Sequence, residues 1–376
     1  MKYEKKIYFD HAATAPLLKE AKAAMEPFLG EDFENPASGY TPAAKCREAV
    51  ENARGQMAYF MRARPEEIFF TSGGTESDNW AIRGAVELEK KRGNHIITTQ
   101  IEHPAVLNTC KYLEKQGCRV TYLPVDHRGV VSVEDVKNAI TAETVLISVM
   151  YANNEVGTIE PVRAIGRVAA AAGILFHVDA VQAFGQISIF PESMGIDLMS
   201  ISGHKFGGPK GIGALYVNRQ VPFGPLIFGG GQESGMRSGT TNVPGIVGMA
   251  AAASQWNRNR ERWNRSERRI RDYFVRRALK EIPGATLTGS AENRLSGNAH
   301  ITIPASNGIE CIRALDERGI MASTGSACST GRKKISHVLL AMGYPEEADY
   351  AALRFTFGPE NTPEEVDEAL EVLKSL

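Results

Sequence analysis

Between about residues 66 and 217, short β-rich runs alternate with stretches of helical periodicity, and no other feature of the 376-residue chain limits its fold so sharply. Parallel strands need a crossover between them, usually a helix, so this alternation predicts a mostly parallel central sheet wrapped by helices. The strand-like runs are 67–72, 95–99, 119–124, 145–151, 174–179, 197–201 and 212–217, with helical patterns at 76–91, 105–116, 133–140 and 162–172. In such sheets ligands gather beyond the carboxyl ends of the strands, so the residues just after each strand are the place to look for chemistry.

A second region follows Gly229-Gly230-Gly231. It holds a long helical stretch over 250–281, short strands near 300–303 and 353–357, and a last helix opened by Thr362-Pro363-Glu364-Glu365. That last signal combines an N-cap threonine, a proline at the first helical position and an acid three residues on. The expected fold class is α/β with a smaller α+β domain: residues 15–255 form the large domain, and 1–14 plus 256–376 form the small one, carrying a mobile cysteine loop. The long helix carries Arg258, Arg260, Arg262, Arg265, Arg268, Arg269, Arg271, Arg276 and Arg277 against apolar anchors at Trp256, Trp263, Ile270 and Phe274 only. One anchor per two turns gives a narrow buried stripe, so most of this charge is expected in solvent.

Lys plus Arg (43) nearly balance Asp plus Glu (44), which argues against a dedicated nucleic-acid binder and for a small substrate. The N-terminus lacks an apolar segment behind its lysines and no later stretch is apolar enough to span a bilayer, so a soluble, cytoplasmic protein is expected. Cys46, Cys110, Cys118, Cys311 and Cys328 are odd in number and form no C-x-x-C pair, which speaks against a disulfide framework and a structural metal site. Cys46, Cys110 and Cys311 sit in helical patterns, and Cys118 stands at a strand entrance; all four read as packed residues. Cys328 lies in Ala322-Ser323-Thr324-Gly325-Ser326-Ala327-Cys328-Ser329-Thr330-Gly331, a run of small residues with neither period, which reads as a loop.

Three places suit a phosphate and a ring. Thr71-Ser72-Gly73-Gly74-Thr75-Glu76-Ser77 joins a strand to a helix, and its glycines let backbone N–H groups approach an anion, although the same residues also make an ordinary N-cap. The apolar strand Ile174-Leu175-Phe176-His177-Val178-Asp179 ends in a carboxylate that needs a donor or cation; a protonated pyridine nitrogen would serve, as would a structural arginine. Lys205, after Ser202-Gly203-His204, is placed for the desolvation that makes an amine nucleophilic.

These residues resemble the cysteine desulfurases of the NifS/IscS type, which are class-V, fold-type-I pyridoxal-phosphate enzymes. The resemblance rests on Thr71-Ser72-Gly73-Gly74-Thr75-Glu76-Ser77-Asp78-Asn79, Glu102-His103, Asn153-Asn154-Glu155-Val156-Gly157, His177-Val178-Asp179-Ala180-Val181-Gln182, Ser202-Gly203-His204-Lys205, Gly229-Gly230-Gly231-Gln232-Glu233, Arg237-Ser238-Gly239-Thr240 and Gly325-Ser326-Ala327-Cys328. It extends from Ile7 to Arg354. It implies that Lys205 carries pyridoxal 5'-phosphate, Asp179 holds the ring nitrogen, and His103 stacks on the ring and shuttles protons. It further implies that Asn154 and Gln182 contact ring substituents, that Gly74, Thr75, Ser202 and His204 bind the phosphate, and that Thr240 reaches the neighbouring subunit's cofactor in a homodimer. Arg354 and its helper Asn35 match the residues that take the substrate carboxylate, for which a guanidinium fork is suited.

Cys328 matches the nucleophile of the IscS-like subgroup, which takes sulfur from L-cysteine as a persulfide and leaves L-alanine. The resemblance implies a protein sulfur acceptor, an iron–sulfur scaffold or thiolation enzyme, and leaves room for a transient iron–sulfur ligand role for Cys328. It implies no resident metal, no nucleic acid and no membrane. The chain ends at Leu376, where several members carry a tail that meets the scaffold. A selenocysteine lyase, an aminotransferase with the same cofactor, and a catalytically silent scaffold are the alternatives.

Overall fold

The computed structural model describes residues 6–304, 307–324, 335–346 and 350–376. Its strands are β1 (Ile7–Tyr8), β2 (Ile68–Thr71), β3 (His95–Thr99), β4 (Arg119–Leu123), β5 (Thr144–Met150), β6 (Leu175–Asp179), β7 (Leu198–Ser202), β8 (Gly213–Val217), β9 (Thr286–Leu287), β10 (Asn298–Ile303), β11 (Ile320–Met321) and β12 (Ala351–Thr356). The main sheet has the order β2-β8-β7-β6-β5-β3-β4. β8 pairs antiparallel with both β2 and β7, while the pairings among β7, β6, β5, β3 and β4 are parallel. Six strands therefore point one way, as the alternation predicts. β5 is buried along its whole length, as a strand covered by helices on both faces must be.

Two apolar layers flank this sheet. One gathers Val50, Met57, Ile147, Val149, Phe176, Met199, Tyr216 and Met249; the other gathers Trp80, Ile82, Ile96, Val106, Leu146 and Leu215. A separate core is built from Ile7, Phe9, Ile270, Phe274, Ile301, Leu353, Phe355 and Leu370 around the sheet β12-β10-β9. The N-terminal strand belongs with this second core, because β1 pairs with β11. The helix Val243–Glu281 links the two, burying Met249 and Trp256 in the first and Ile270, Phe274 and Ala278 in the second.

That helix begins seven residues before the expected start. Pro244 and Gly245 argue locally against a helix, but a proline in the first turn loses no intrahelical bond, and the Asn242 side chain caps the Gly245 N–H at 3.0 Å. Two helices that no strand-and-helix alternation announces, Lys19–Met25 and Ala43–Met61, pack against it. The last helix, Pro363–Lys374, has the expected capping box, with Thr362 and Glu365 bonded reciprocally. Cys46, Cys110 and Cys311 are buried in helices; Cys118 is half-buried at the entrance to β4. No described helix is long and apolar enough to cross a membrane.

Candidate active site

The carboxyl ends of β2, β3, β5, β6 and β7 open onto a cavity of about 570 Å³. Its walls are the residues that follow those strands: Ser72 to Glu76, His103, Ala152 and Asn154, Asp179 with Val181 and Gln182, and Ser202 with His204 and Lys205. Ala12, Ala13, Ser323 and Arg354 close it from the side of the second core. Ten of the thirteen residues named from the sequence thus converge here: Gly74, Thr75, His103, Asn154, Asp179, Gln182, Ser202, His204, Lys205 and Arg354. Asn35 and Thr240 are exposed and line no part of it, and Cys328 lies outside the described residues.

The turn after β2 shows why two glycines stand there. Gly73 has φ +151°, and a Cβ on Gly74 would lie 2.6 Å from a Val181 methyl. With no side chains in the way, the N-terminus of the helix Gly74–Glu89 faces the cavity, and its unpaired N–H groups favour an anion. Glu76 ties the turn down, accepting from the Ser72 N–H at 3.0 Å and pairing with Arg237 at 2.8 Å. Burial, with Lys205 and Lys210 adding to it, pushes His204 down to about 4, so its ring is neutral at pH 7.

Lys205 Nζ donates to the carbonyls of Ala12 (2.7 Å) and Ala13 (2.9 Å), joining the two parts of the molecule at this atom. Burial, reinforced by the Arg354 charge, lowers its pKa to about 8. Gln182 donates to the same Ala12 carbonyl at 3.0 Å. His103 caps the helix Pro104–Glu114, its Nδ1 accepting the Ala105 N–H at 3.1 Å. A neutral His103 therefore carries its proton on Nε2.

Asp179 accepts one hydrogen bond, on Oδ1 from the Val181 N–H at 2.9 Å. Burial raises its pKa, against the opposing influence of His103 and Lys205. Two further acids lie buried close by. Asp78 Oδ1 has no hydrogen-bond partner, and Glu102 Oε2 has none either, although Glu102 Oε1 accepts from Thr99 (2.7 Å) and Met150 N–H (3.0 Å). Burial lifts Asp78 well above the usual carboxylate range and Glu102 to about 8, and Asp179 raises both further. Of the three, only Asp179 has Lys205 and His103 lowering its pKa, whereas Asp78 lies 3.6 Å from the Nε2 of His177, a ring that burial keeps neutral.

Arg354, on β12, donates to the Asn154 carbonyl (3.0 Å) and to Asp10 Oδ1 (2.7 Å), while its buried Nε has no partner. Its backbone exchanges hydrogen bonds with Ser323, at 2.6 and 3.1 Å, and the chain then enters the segment that contains Cys328. Beyond that segment Ser336 bonds to Glu155 and His337 Nε2 lies 3.0 Å from the Glu102 carbonyl, so both ends of the segment are anchored beside the cavity. Asp10 and the Ala12 and Ala13 carbonyls were not singled out from the sequence. Asp10 lies 344 positions from Arg354, a contact with no local signal.

The sequence matches the aminotransferase class-V family over residues 7–369. It is 47% identical over 374 residues to the cysteine desulfurase IscS of Clostridium botulinum strain Hall, covering 99% of this chain and 94% of that one. The cysteine desulfurase IscS of Methanosarcina thermophila is 46% identical over 372 residues, covering 99% and 92%. Among solved structures, a NifS-like protein superposes with a TM-score of 0.92 at 38% identity over 99% of each chain. Another, SspA in complex with cysteine, gives 0.84 at 38% identity, over 95% of this chain and 100% of that one.

Proposed function

The chain belongs to the class-V aminotransferase family, and from that premise we propose that it is a pyridoxal-phosphate-dependent cysteine desulfurase acting through Lys205 and Cys328. The observation that carries this reading is the convergence, in one cavity, of a desolvated lysine, a buried carboxylate facing cations, a helix N-terminus cleared by glycines, and an arginine with an unpaired buried N–H. That donor set fits pyridoxal 5'-phosphate: Gly74, Thr75, Ser202 and His204 at the phosphate, Asp179 at the ring nitrogen, His103 over the ring, Asn154 and Gln182 at its substituents, and Lys205 at the aldehyde carbon.

When bound, the cofactor supplies an electron sink for the substrate's α-carbon. Asp179 would hold the proton of the ring nitrogen. Arg354, with Asn35 as helper, would hold the substrate carboxylate, and the Lys205 amine would take the α-proton. Because His103 Nδ1 is committed to Ala105, any proton that His103 gives or takes passes through Nε2. The Cys328 thiolate then attacks the substrate sulfur: the S–S bond forms, the Cβ–S bond breaks with its electron pair left on carbon, and that carbon takes up a proton. The balance is cysteine plus enzyme thiol giving alanine plus enzyme persulfide.

We assign residues 15–255 to the cofactor-binding domain and 1–14 with 256–376 to the domain bearing the cysteine segment. The two cores, bridged by the helix Val243–Glu281, support that division. A homodimer in which Thr240 reaches the partner's cofactor is supported by the exposure of Thr240 outside its own cavity. The persulfide is passed to a protein acceptor in iron–sulfur assembly or thiolation, and the protein acts in the cytoplasm. The test is product analysis of holoenzyme with L-cysteine: alanine with reductant-released sulfide supports desulfuration, whereas a keto acid would make the protein an aminotransferase.

A further inference from the structure

The arginine-rich part of the helix Val243–Glu281 takes no part in the reaction proposed above, and its charge is arranged rather than scattered. At 3.6 residues per turn, Arg258, Arg262, Arg265, Arg269, Arg276 and Lys280 fall within about 60° of arc and form a straight ridge about 33 Å long. All six are exposed. Among the described residues, Arg258, Arg262, Arg265 and Arg269 make no hydrogen bond or ion pair, and Arg276 lies over the Tyr273 ring, 5.7 Å from its centroid. No acid falls within that arc; Glu261 and Asp272 flank it on one side, and Asp272 already pairs with Arg271 at 2.7 Å.

Like charges three or four residues apart weaken a helix, and this ridge holds four such pairs: 258 with 262, 262 with 265, 265 with 269, and 276 with 280. A helix face that needed only solubility would intersperse acids among its cations, as the neighbouring helix Pro363–Lys374 does with Lys374 beside Glu371. We propose that this ridge is a docking surface for an acidic α-helix of a partner protein, whose carboxylates repeat at the same one-turn interval. Guanidinium forks match carboxylates in pairs, and two helices laid side by side keep their charges in step along the full ridge. A single-stranded nucleic acid would call for exposed rings to stack on, and the ridge presents none beyond half-buried Tyr273. A duplex strand winds away from a straight row of charges, so it meets only part of the ridge.

Holoenzyme is titrated into a fluorescently labelled 25-residue alanine-based helical peptide with glutamates along one face, and into an isomer of the same composition with the glutamates spread around the helix. Anisotropy should show the one-face peptide binding at least tenfold more tightly, with affinity falling as salt rises. The combined variant R258Q/R262Q/R265Q/R269Q should lose that preference while keeping the cofactor absorbance and melting no lower than the parent, since its removed charges repelled one another. Arg265→Glu alone should weaken binding, and a peptide with one glutamate changed to arginine should restore it. Equal binding of the two peptides, an unmoved affinity in the fourfold variant, or tighter binding of a 24-base-pair RNA duplex at matched salt would each overturn the proposal.

Discussion

Lys205 owes its chemistry to where its amine is held. Burial and the nearby Arg354 bring it to about 8 from an ordinary 10.5, which means that the folded apoprotein releases this proton more readily than the unfolded chain does. Between those two pH values the unfolded chain binds the extra proton, so apoprotein stability should rise with pH across the interval, by at most on the order of 3 kcal/mol from this group. Lys205→Met should flatten that rise relative to the parent in denaturant titrations at pH 8 and pH 10; an unchanged slope would mean that the amine is not desolvated. Lys210 also lines the cavity. After borohydride reduction and digestion the pyridoxyl label should nevertheless be found on Lys205.

Arg354 is the other residue with a separable role. Removing a charged hydrogen-bonding partner of the substrate carboxylate costs about 1.5–3 kcal/mol, roughly ten- to a hundredfold in binding. Arg354→Ala should therefore raise KM for cysteine by that factor while leaving the absorbance of bound cofactor in place; a parent-like KM would remove Arg354 from substrate binding. Its contacts explain what the sequence could and could not reveal. The arginine stands in a recognisable motif, but Asp10, which holds its Nη2, is brought to it by a bridge between Asp10 and Thr356 and has no pattern of its own.

Among the elements, the strands of the main sheet were legible to within about a residue because all but the edge strand β4 are largely buried runs bounded by polar, proline or glycine residues. The strand expected over 119–124 ends at Leu123, where a proline that cannot donate to the ladder follows. Two-residue β1 and β11 carry too few residues to show any period and exist only because they pair with each other. The turn after β2 was legible as a phosphate cup or a plain N-cap, and the close approach of Val181 to Gly74 is the feature that the sequence lacked. Gly74→Ala would force a Cβ into a space where overpacking costs about 1–3 kcal/mol. We expect it to lower the melting temperature and to weaken reconstitution with pyridoxal phosphate, read as a higher cofactor concentration at half-saturation. Reconstitution at the parent concentration would place the phosphate elsewhere.

At the scale of the whole molecule, the long helix Val243–Glu281 ties the two cores together, and the cavity lies where residues from both meet at Lys205. Thr240, outside that cavity, is the residue expected to work across a subunit boundary. Sedimentation of the holoenzyme should give twice the chain mass, and Thr240→Ala should weaken cofactor retention without dissociating the dimer; a monomer with full activity would contradict both. The persulfide on Cys328 is the claim on which the functional account turns, and mass spectrometry of the enzyme after cysteine turnover without reductant tests it directly. The parent should gain one sulfur, mapped to Cys328, while Cys328→Ala should still shift the cofactor absorbance on adding cysteine yet form neither persulfide nor alanine. Alanine made by Cys328→Ala at the parent rate, or the added sulfur found on Cys46, Cys110, Cys118 or Cys311, would contradict the account.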